Sequence, residues 1–463
     1  MDHRVGIQRT SENFEIVLHG DAPGVDGQPD QQISHGERLV DVVGFPVERD
    51  EHGVRCARWG AAYRAKLSRV KVSSGLVSLD RAAAVDRFRR SRARTRALFA
   101  LLDDAAFDER PPGWPAQDVI QRDVVGRFGL AADGAIEEAI LHADLDSANA
   151  AHPHLAEALW AILEREEMHQ ETLACLWHEL PYALKRKPEH YVTAPPRLKE
   201  PRTRARETVR IPAGEVTLGT AEHEGFSWDH ERPAHTVAVA AFDIDTCKVT
   251  NAEYLAFMDA TGASAPHLWR PSGGHAEGES AIGRWSWRGM FETVPLPPDW
   301  PVYVTWSEAD AYAHWCGRRL PSEAEFHRAA FGMPGGGERR YPWGDTLHGR
   351  APGNFDFGRW DPTPVEARPD AVSAFGVQEL VGNGWEWTST ILGPFDGFVP
   401  MPSCPEYSAG LCDGVHYVLK GASPVTARSL VRRGFRGGER PGAASLYTAF
   451  RTVASQSDLK VRI

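Results

Sequence analysis

The spacing of apolar and polar positions divides this chain into four stretches of different character. Residues 1–75 show little sustained periodicity. Within them GDAPGVDGQPDQQ (Gly20–Gln32) is too rich in Gly, Asp, Pro and Gln to bury the surface that ordering requires. This stretch is expected to be a poorly ordered extension with one short strand, Phe14–Leu18. From Leu79 the composition turns helical, in LDRAAAVDRFRRSRARTRALFALL, with Ser78 as the expected N-cap. Further helices are expected at Ala116–Phe128 and Gly134–Asn149, and the clearest begins at Pro153. There Leu155, Leu159, Ile162, Glu166, His169, Leu173 and Leu176 step by fours and threes, which predicts one inward stripe that Glu166 and His169 interrupt. Four helices with short links predict an antiparallel bundle over 76–182. Residues 183–208, basic and proline-rich, read as a linker. Over 209–463 short β-type runs (VRIPAGEVTLG, HTVAVAAFDID) alternate with glycine-rich turns, and helices are expected at Asn251–Thr261, Ser307–Cys316 and Ser322–Gly332. That mixture predicts an α+β domain with irregular connections.

Composition narrows the function. The chain has 463 residues and a formal net charge of −11, which argues against broad nucleic-acid or anionic-membrane binding. No run approaches the ~18 apolar residues of a membrane helix. The start, MDHRVGIQRTSENF, lacks the basic-then-apolar pattern of a secretory leader. Six scattered cysteines without a CxxC pair predict reduced thiols in a cytoplasmic protein. Fifteen tryptophans, most after residue 200, predict a domain held together by aromatic packing in its loops.

Seven motifs follow one another in the second half of the chain: IPAGEVTLG (Ile211–Gly219), FDIDTCKVTNAEYLAFM (Phe242–Met258), RRLPSEAEFHRAA (Arg318–Ala330), YPWGD (Tyr341–Asp345), GNGWEWTST (Gly382–Thr390), YVLKGAS (Tyr417–Ser423) and AFRTV (Ala449–Val453). In GNGWEWT, Gly382 and Asn383 permit a tight turn, and Trp385 and Trp387 alternate onto opposite faces as core anchors. Together the motifs resemble the formylglycine-generating-enzyme domain, which implies a C-type-lectin-like fold. The copper-dependent members carry two cysteines shortly after the VLKGAS-type strand, whereas Tyr417–Arg451 contains none. Trp287–Trp306 and Tyr407–Arg436 are instead similar to the nonheme-iron sulfoxide synthases of ergothioneine biosynthesis, and most of all to selenoneine synthases. That resemblance covers roughly residues 80–455 and includes EMHQETL (Glu167–Leu173) in the clearest helix. It implies a DinB-like four-helix bundle ahead of the lectin-like domain.

The resemblance also implies a reaction: Fe(II) and O2 join a thiol or selenium donor to the imidazole of hercynine. The family holds iron with three histidines, two of them from an H-x-x-x-H-x-E motif. Here His169 and Glu171 match that motif, but its first position is Arg165, a permanent cation with no lone pair for a metal. The third histidine falls near Asp123. Two readings follow. In one, His169, Glu166 and Asp123 rebuild the site as one imidazole and two carboxylates, still suited to Fe(II). In the other, Arg165 pairs with Asp123 or Glu166 and replaces the metal by a buried ion pair, leaving a binding or regulatory protein. FRGGE (Phe435–Glu439) stands where relatives carry an FRNWF-type stretch near the iron. Arg94, Asp413, His416 and Tyr447 are the candidate substrate-binding residues. Arg451 reads as a structural position, and His142, His152 and His154 as surface residues.

Overall fold

The computed structural model describes residues 80–107, 133–142, 154–191 and 207–454, leaving out 190, 274–280, 348, 350, 409 and 445–446, together with four short strands before residue 57. The chain divides into two units. The smaller takes in Met1–Ser73 and Gly134–Ile136. Its strands form two antiparallel hairpins. β1 (Arg4–Arg9) pairs with β2 (Phe14–His19), which is the strand expected at Phe14–Leu18, and β3 (Val47–Asp50) pairs with β4 (Gly53–Cys56).

The larger unit begins with α1 (Arg81–Phe99). Its cap is Asp80, whose carboxylate accepts from the Ala83 amide at 3.1 Å, rather than Ser78. Ala84, Phe88, Ser91, Thr95 and Leu98 repeat at helical spacing and are buried. Residues 133–142 form a further helix, α2, of which Gly134–Ile136 count with the smaller unit, and α3 (Leu155–Glu179) packs along α1, with Phe99 edge-on to Trp177 at 5.3 Å. The expected helix at 116–128 lies outside the described residues. His142 is exposed and His154 half-buried, while His152 is not described.

The inward face of α3 differs from the expected stripe. Leu159, Leu163, Glu167, Gln170, Ala174 and Trp177 are buried, while Ile162 is 38% exposed and Glu166 and His169 are only half-buried. The cause is that α3 is covered on two sides. Glu167 and Gln170 meet α1, and Ala161, Glu164, Glu171 and His178 meet the C-terminal domain. Much of the buried surface is therefore polar and paired, which an apolar count cannot register.

In the C-terminal domain, β5 (Thr208–Ile211), β8 (Phe242–Asp245), β12 (Arg318–Arg319) and β17 (Val453–Ala454) form one four-stranded sheet in the order 12-17-8-5. A second sheet, in the order 15-14-13-16, contains β13 (Gly384–Ile391), β14 (Tyr417–Ala422), β15 (Gly437–Glu439) and β16 (Thr448–Ala449). Smaller sheets join β6 (Gly214–Leu218) to β7 (His235–Val239), and β9 (Trp269–Pro271) to β10 (Trp285–Arg288) and β11 (Thr293–Pro295). Three helices, α4 (Asn251–Thr261), α5 (Trp306–Trp315) and α6 (Glu323–Phe331), each start on a reciprocal cap: Thr250 with Glu253, Thr305 with Glu308, Ser322 with Glu325. They fall within a residue of the expected ranges. Trp287, Trp300 and Trp387 are almost fully buried, so Trp387 is the core anchor its motif predicts. Arg451 is fully buried and binds Glu386 at 2.6 and 2.8 Å and three backbone carbonyls, a structural role.

The end of α3 is capped by this domain. Arg288 on β10 donates to the carbonyls of His178, Glu179 and Leu180 at 3.2, 3.1 and 2.9 Å, and Lys185 donates to the His178 carbonyl at 3.1 Å. The Arg288 cation thus meets the negative end of the helix, and the two side chains satisfy carbonyls that have no partner within it.

Candidate functional site

The candidate residues gather along α3 where it faces the C-terminal domain. Glu171, the last position of the helix motif, is its main docking point. One carboxylate oxygen accepts from Trp385 Nε1 at 2.8 Å and Ser423 Oγ at 2.5 Å, and the other from Thr426 Oγ1 at 2.8 Å. Burial raises the Glu171 pKa, while these three neutral donors stabilise the ionised form. The GNGWEWT and VLKGAS motifs therefore converge on one carboxylate of the helix. Trp385 is thus a donor to the helix as well as a packing residue.

Deeper along the same face, Tyr447 is buried against His178, with its hydroxyl 3.0 Å from Nδ1. His178 Nε2 lies 2.7 Å from the Arg288 carbonyl. A carbonyl only accepts, so Nε2 carries the proton and Nδ1 accepts from the Tyr447 hydroxyl. Burial holds the His178 pKa down at about 4, so the ring is neutral at physiological pH. Tyr447 thus has a protein partner within the core.

One turn before Glu171, the geometry changes. Arg165 and His169 are half-buried and one helical turn apart. The Arg165 guanidinium lies over the Tyr407 ring at 5.1 Å, and Tyr407 stacks on Trp228 at 4.0 Å and donates to Met168 Sδ at 3.7 Å. Burial lowers the His169 pKa, Arg165 pushes it the same way and Glu166 opposes them. His169 therefore presents a neutral imidazole. Glu166 is held from α1, where Arg92 and Thr95 both bind Oε1. Glu166 is thus paired by Arg92, because α1 lies alongside this part of α3, and Asp123, the other partner expected for Arg165, lies outside the described residues.

The remaining candidates lie elsewhere. Arg94 reaches across to the domain, pairing with Asp356 at 2.8 Å with its guanidinium over Phe357 at 4.8 Å, so its charge already has a protein carboxylate. Asp413 binds His416 Nδ1 at 2.7 Å and Arg440 at 3.3 Å. In FRGGE, Phe435 packs at 5.8 Å from Trp385 and Gly437–Glu439 form β15.

Sequence reasoning missed a buried ion-pair cluster that links α3 to the C-terminal domain. Arg432 binds Glu164 at 2.7 and 3.0 Å and Glu231 at 2.5 and 2.8 Å, and both carboxylates are buried. Glu164 lies next to Arg165 in α3, but its partners Arg87 and Arg432 come from 77 and 268 residues away along the chain. No local pattern announces them.

The family profile for the sulfatase-modifying factor enzyme 1-like domain matches residues 195–456, more than half of the chain. This chain belongs to that family. It is 37% identical over 258 residues to the hercynine oxygenase of Mycolicibacterium smegmatis, which spans 53% of this chain and 60% of that protein. The hercynine oxygenase of Mycolicibacterium thermoresistibile is 38% identical over 240 residues, 49% of this chain and 54% of that one. The formylglycine-generating enzyme of Streptomyces coelicolor is 34% identical over 301 residues, 56% of this chain and 93% of that enzyme. The chain thus spans little more than half the length of these two hercynine oxygenases. The resemblance read from the motifs of the C-terminal domain is borne out.

The residues can be tested against iron. A facial iron site takes three protein donors. In this part of α3 the described residues supply the neutral imidazole of His169 and the Glu166 carboxylate, one oxygen of which is already engaged by Arg92. Among the described residues no three His, Cys, Asp or Glu side chains are grouped so as to hold a metal ion. By themselves these residues do not fit iron, and Asp123 lies outside the described residues. No helix among the described residues is long and apolar enough to cross a membrane.

Proposed function

We propose that this chain is a divergent oxidoreductase of the hercynine-oxygenase type. It acts on a hercynine-like, histidine-derived imidazole with O2 and a thiol or selenium donor, forming a C–S or C–Se bond. The observation that carries the reading is the 37–38% identity to two hercynine oxygenases. The docking of Glu171 on Trp385, Ser423 and Thr426 supports it, since it holds the helix motif against the family domain. Fe(II) is the cofactor this chemistry calls for, and in this reading His169, Glu166 and Asp123 hold it. A metal-free binding protein is the second reading. It is favoured by Arg165 at a ligand position and by the Arg92–Glu166 pair.

Metal content after anaerobic Fe(II) loading and removal of free metal, measured beside calorimetric titration with hercynine, separates them. Near-stoichiometric iron that disappears in His169→Ala supports the oxidoreductase. Hercynine binding without retained iron overturns it and supports the binding protein. Neither iron nor hercynine overturns both.

A further inference from the structure

We propose that Lys185 is a modification site, whose amine takes an acyl group directly from a thioester and is prepared for it by Arg288. The site lies at the end of α3 and does not depend on the imidazole reading above.

Three observations carry it. The first is crowding. Lys185 Nζ and the Arg288 guanidinium both donate to the His178 carbonyl, at 3.1 and 3.2 Å, and each lies 4.9 Å from the centre of the Tyr182 ring. Two cations on one carbonyl and one ring repel each other. Arginine keeps its proton in a protein, so the lysine is the one that yields. The second is the charge around the pair. Among the described residues neither Lys185 nor Arg288 has a carboxylate at ion-pairing distance; Glu179 is engaged by His267 at 2.9 Å, and Asp361 by the Tyr191 hydroxyl. Burial and then Arg288 bring the Lys185 pKa down to about 7, against the opposing pull of Glu179 and Asp361. The third is access. Lys248 and Lys420 are buried beside Glu386 and Glu323, and the exposed Lys187 is paired with Glu292 at 2.8 Å. Lys185 is only half-buried, within reach of a small reagent. Arg288 Nε is buried without an acceptor among the described residues, and an acyl oxygen on Lys185 brings one to the cluster.

In the step itself the amine nitrogen attacks the thioester carbonyl and the Arg288 guanidinium stabilises the oxyanion that forms. The C–S bond breaks, and the thiolate leaves with the proton that the nitrogen loses. The amide N–H that results can still donate to the His178 carbonyl, so the cap of α3 is kept.

The test is incubation of the full chain with acetyl-coenzyme A and no acetyltransferase. Fragment mass spectrometry follows acetylation of Lys185 and Lys187 between about pH 6 and 9. Near neutrality an amine of pKa about 7 has roughly a thousandfold more free base than an ordinary lysine. Lower nucleophilicity and half-burial reduce this, leaving Lys185 at least about tenfold faster than Lys187. Its rate should level off above about pH 8 while that of Lys187 keeps climbing. Arg288→Met should bring Lys185 down toward Lys187, and Arg288→Lys, which keeps the like charge, should retain most of the preference, guarding against a folding defect in the first variant. Equal rates in the wild type, or two rates that climb in parallel with pH, overturn the site. An unchanged preference in Arg288→Met overturns the role of Arg288.

Discussion

Replacing Arg432 by Met tests how far α3 depends on the C-terminal domain. The guanidinium makes four hydrogen bonds to Glu164 and Glu231, which are 2% and 0% exposed. Burial alone already raises the Glu164 pKa, with Arg432 and then Arg87 opposing it. Removing one partner of a buried ion pair costs about 3–5 kcal/mol, because the remaining charge is stranded away from water. Glu164 keeps Arg87 at 3.7 Å and Glu231 keeps a 3.4 Å hydrogen bond from the Trp228 amide, so the lower end, about 3 kcal/mol, is expected. Against a typical total of about 5–15 kcal/mol this is a large loss. Guanidinium unfolding followed by tryptophan fluorescence reads it as a fall in midpoint. The double variant Arg432→Met/Glu231→Gln should recover more than ~1 kcal/mol, since it removes one of the stranded charges. A loss below ~1 kcal/mol in the single variant would refute the reasoning. No recovery in the double would assign the loss to packing of Arg432 over Phe435, 4.9 Å from the ring.

Three further predictions follow from other parts of the fold. The His178 pKa is depressed to about 4 from an ordinary 6.5, so its contribution is complete above pH 6.5 and drains away as pH falls toward 4. At about 1.4 kcal/mol per unit this is about 3 kcal/mol, and His178→Gln should flatten the acid limb of a stability–pH profile. Glu171→Ala strands the donors of Trp385, Ser423 and Thr426 and should cost about 2–4 kcal/mol; amide exchange should quicken in α3 before it does in β13 and β14. Gly384 has φ +126°, and an added Cβ would stand 2.8 Å from Tyr303 Cε1. Gly384→Ala should therefore lower stability by about 2–3 kcal/mol in the same unfolding assay.

How much of this was legible in the sequence depends on how local each signal is. The three helices of the C-terminal domain could be placed within a residue because TNAE, TWSE and SEAE each contain a whole reciprocal cap in four consecutive residues. The inward face of α3 was misplaced because Glu164, Glu167 and Gln170 look solvent-facing until their partners on Arg432, Arg87 and Ser91 are brought in from distant segments. Within the candidate site, His169, Arg165 and Glu171 could be singled out by motif. The pairing of Glu166 with Arg92 could not, since it depends on the rotation of α1 against α3. Tyr447 was singled out by motif too, but its partner His178 stands 269 positions away along the chain.

Arg288 sits on a strand of the lectin-like domain and yet finishes a helix that began more than a hundred residues earlier. A helix whose last carbonyls are satisfied by another segment has no complete end of its own. The helical segment therefore cannot be exchanged for that of a relative as a self-contained cassette. Any graft that keeps α3 has to inherit Arg288 as well, and the two parts of the larger unit are bound to change together.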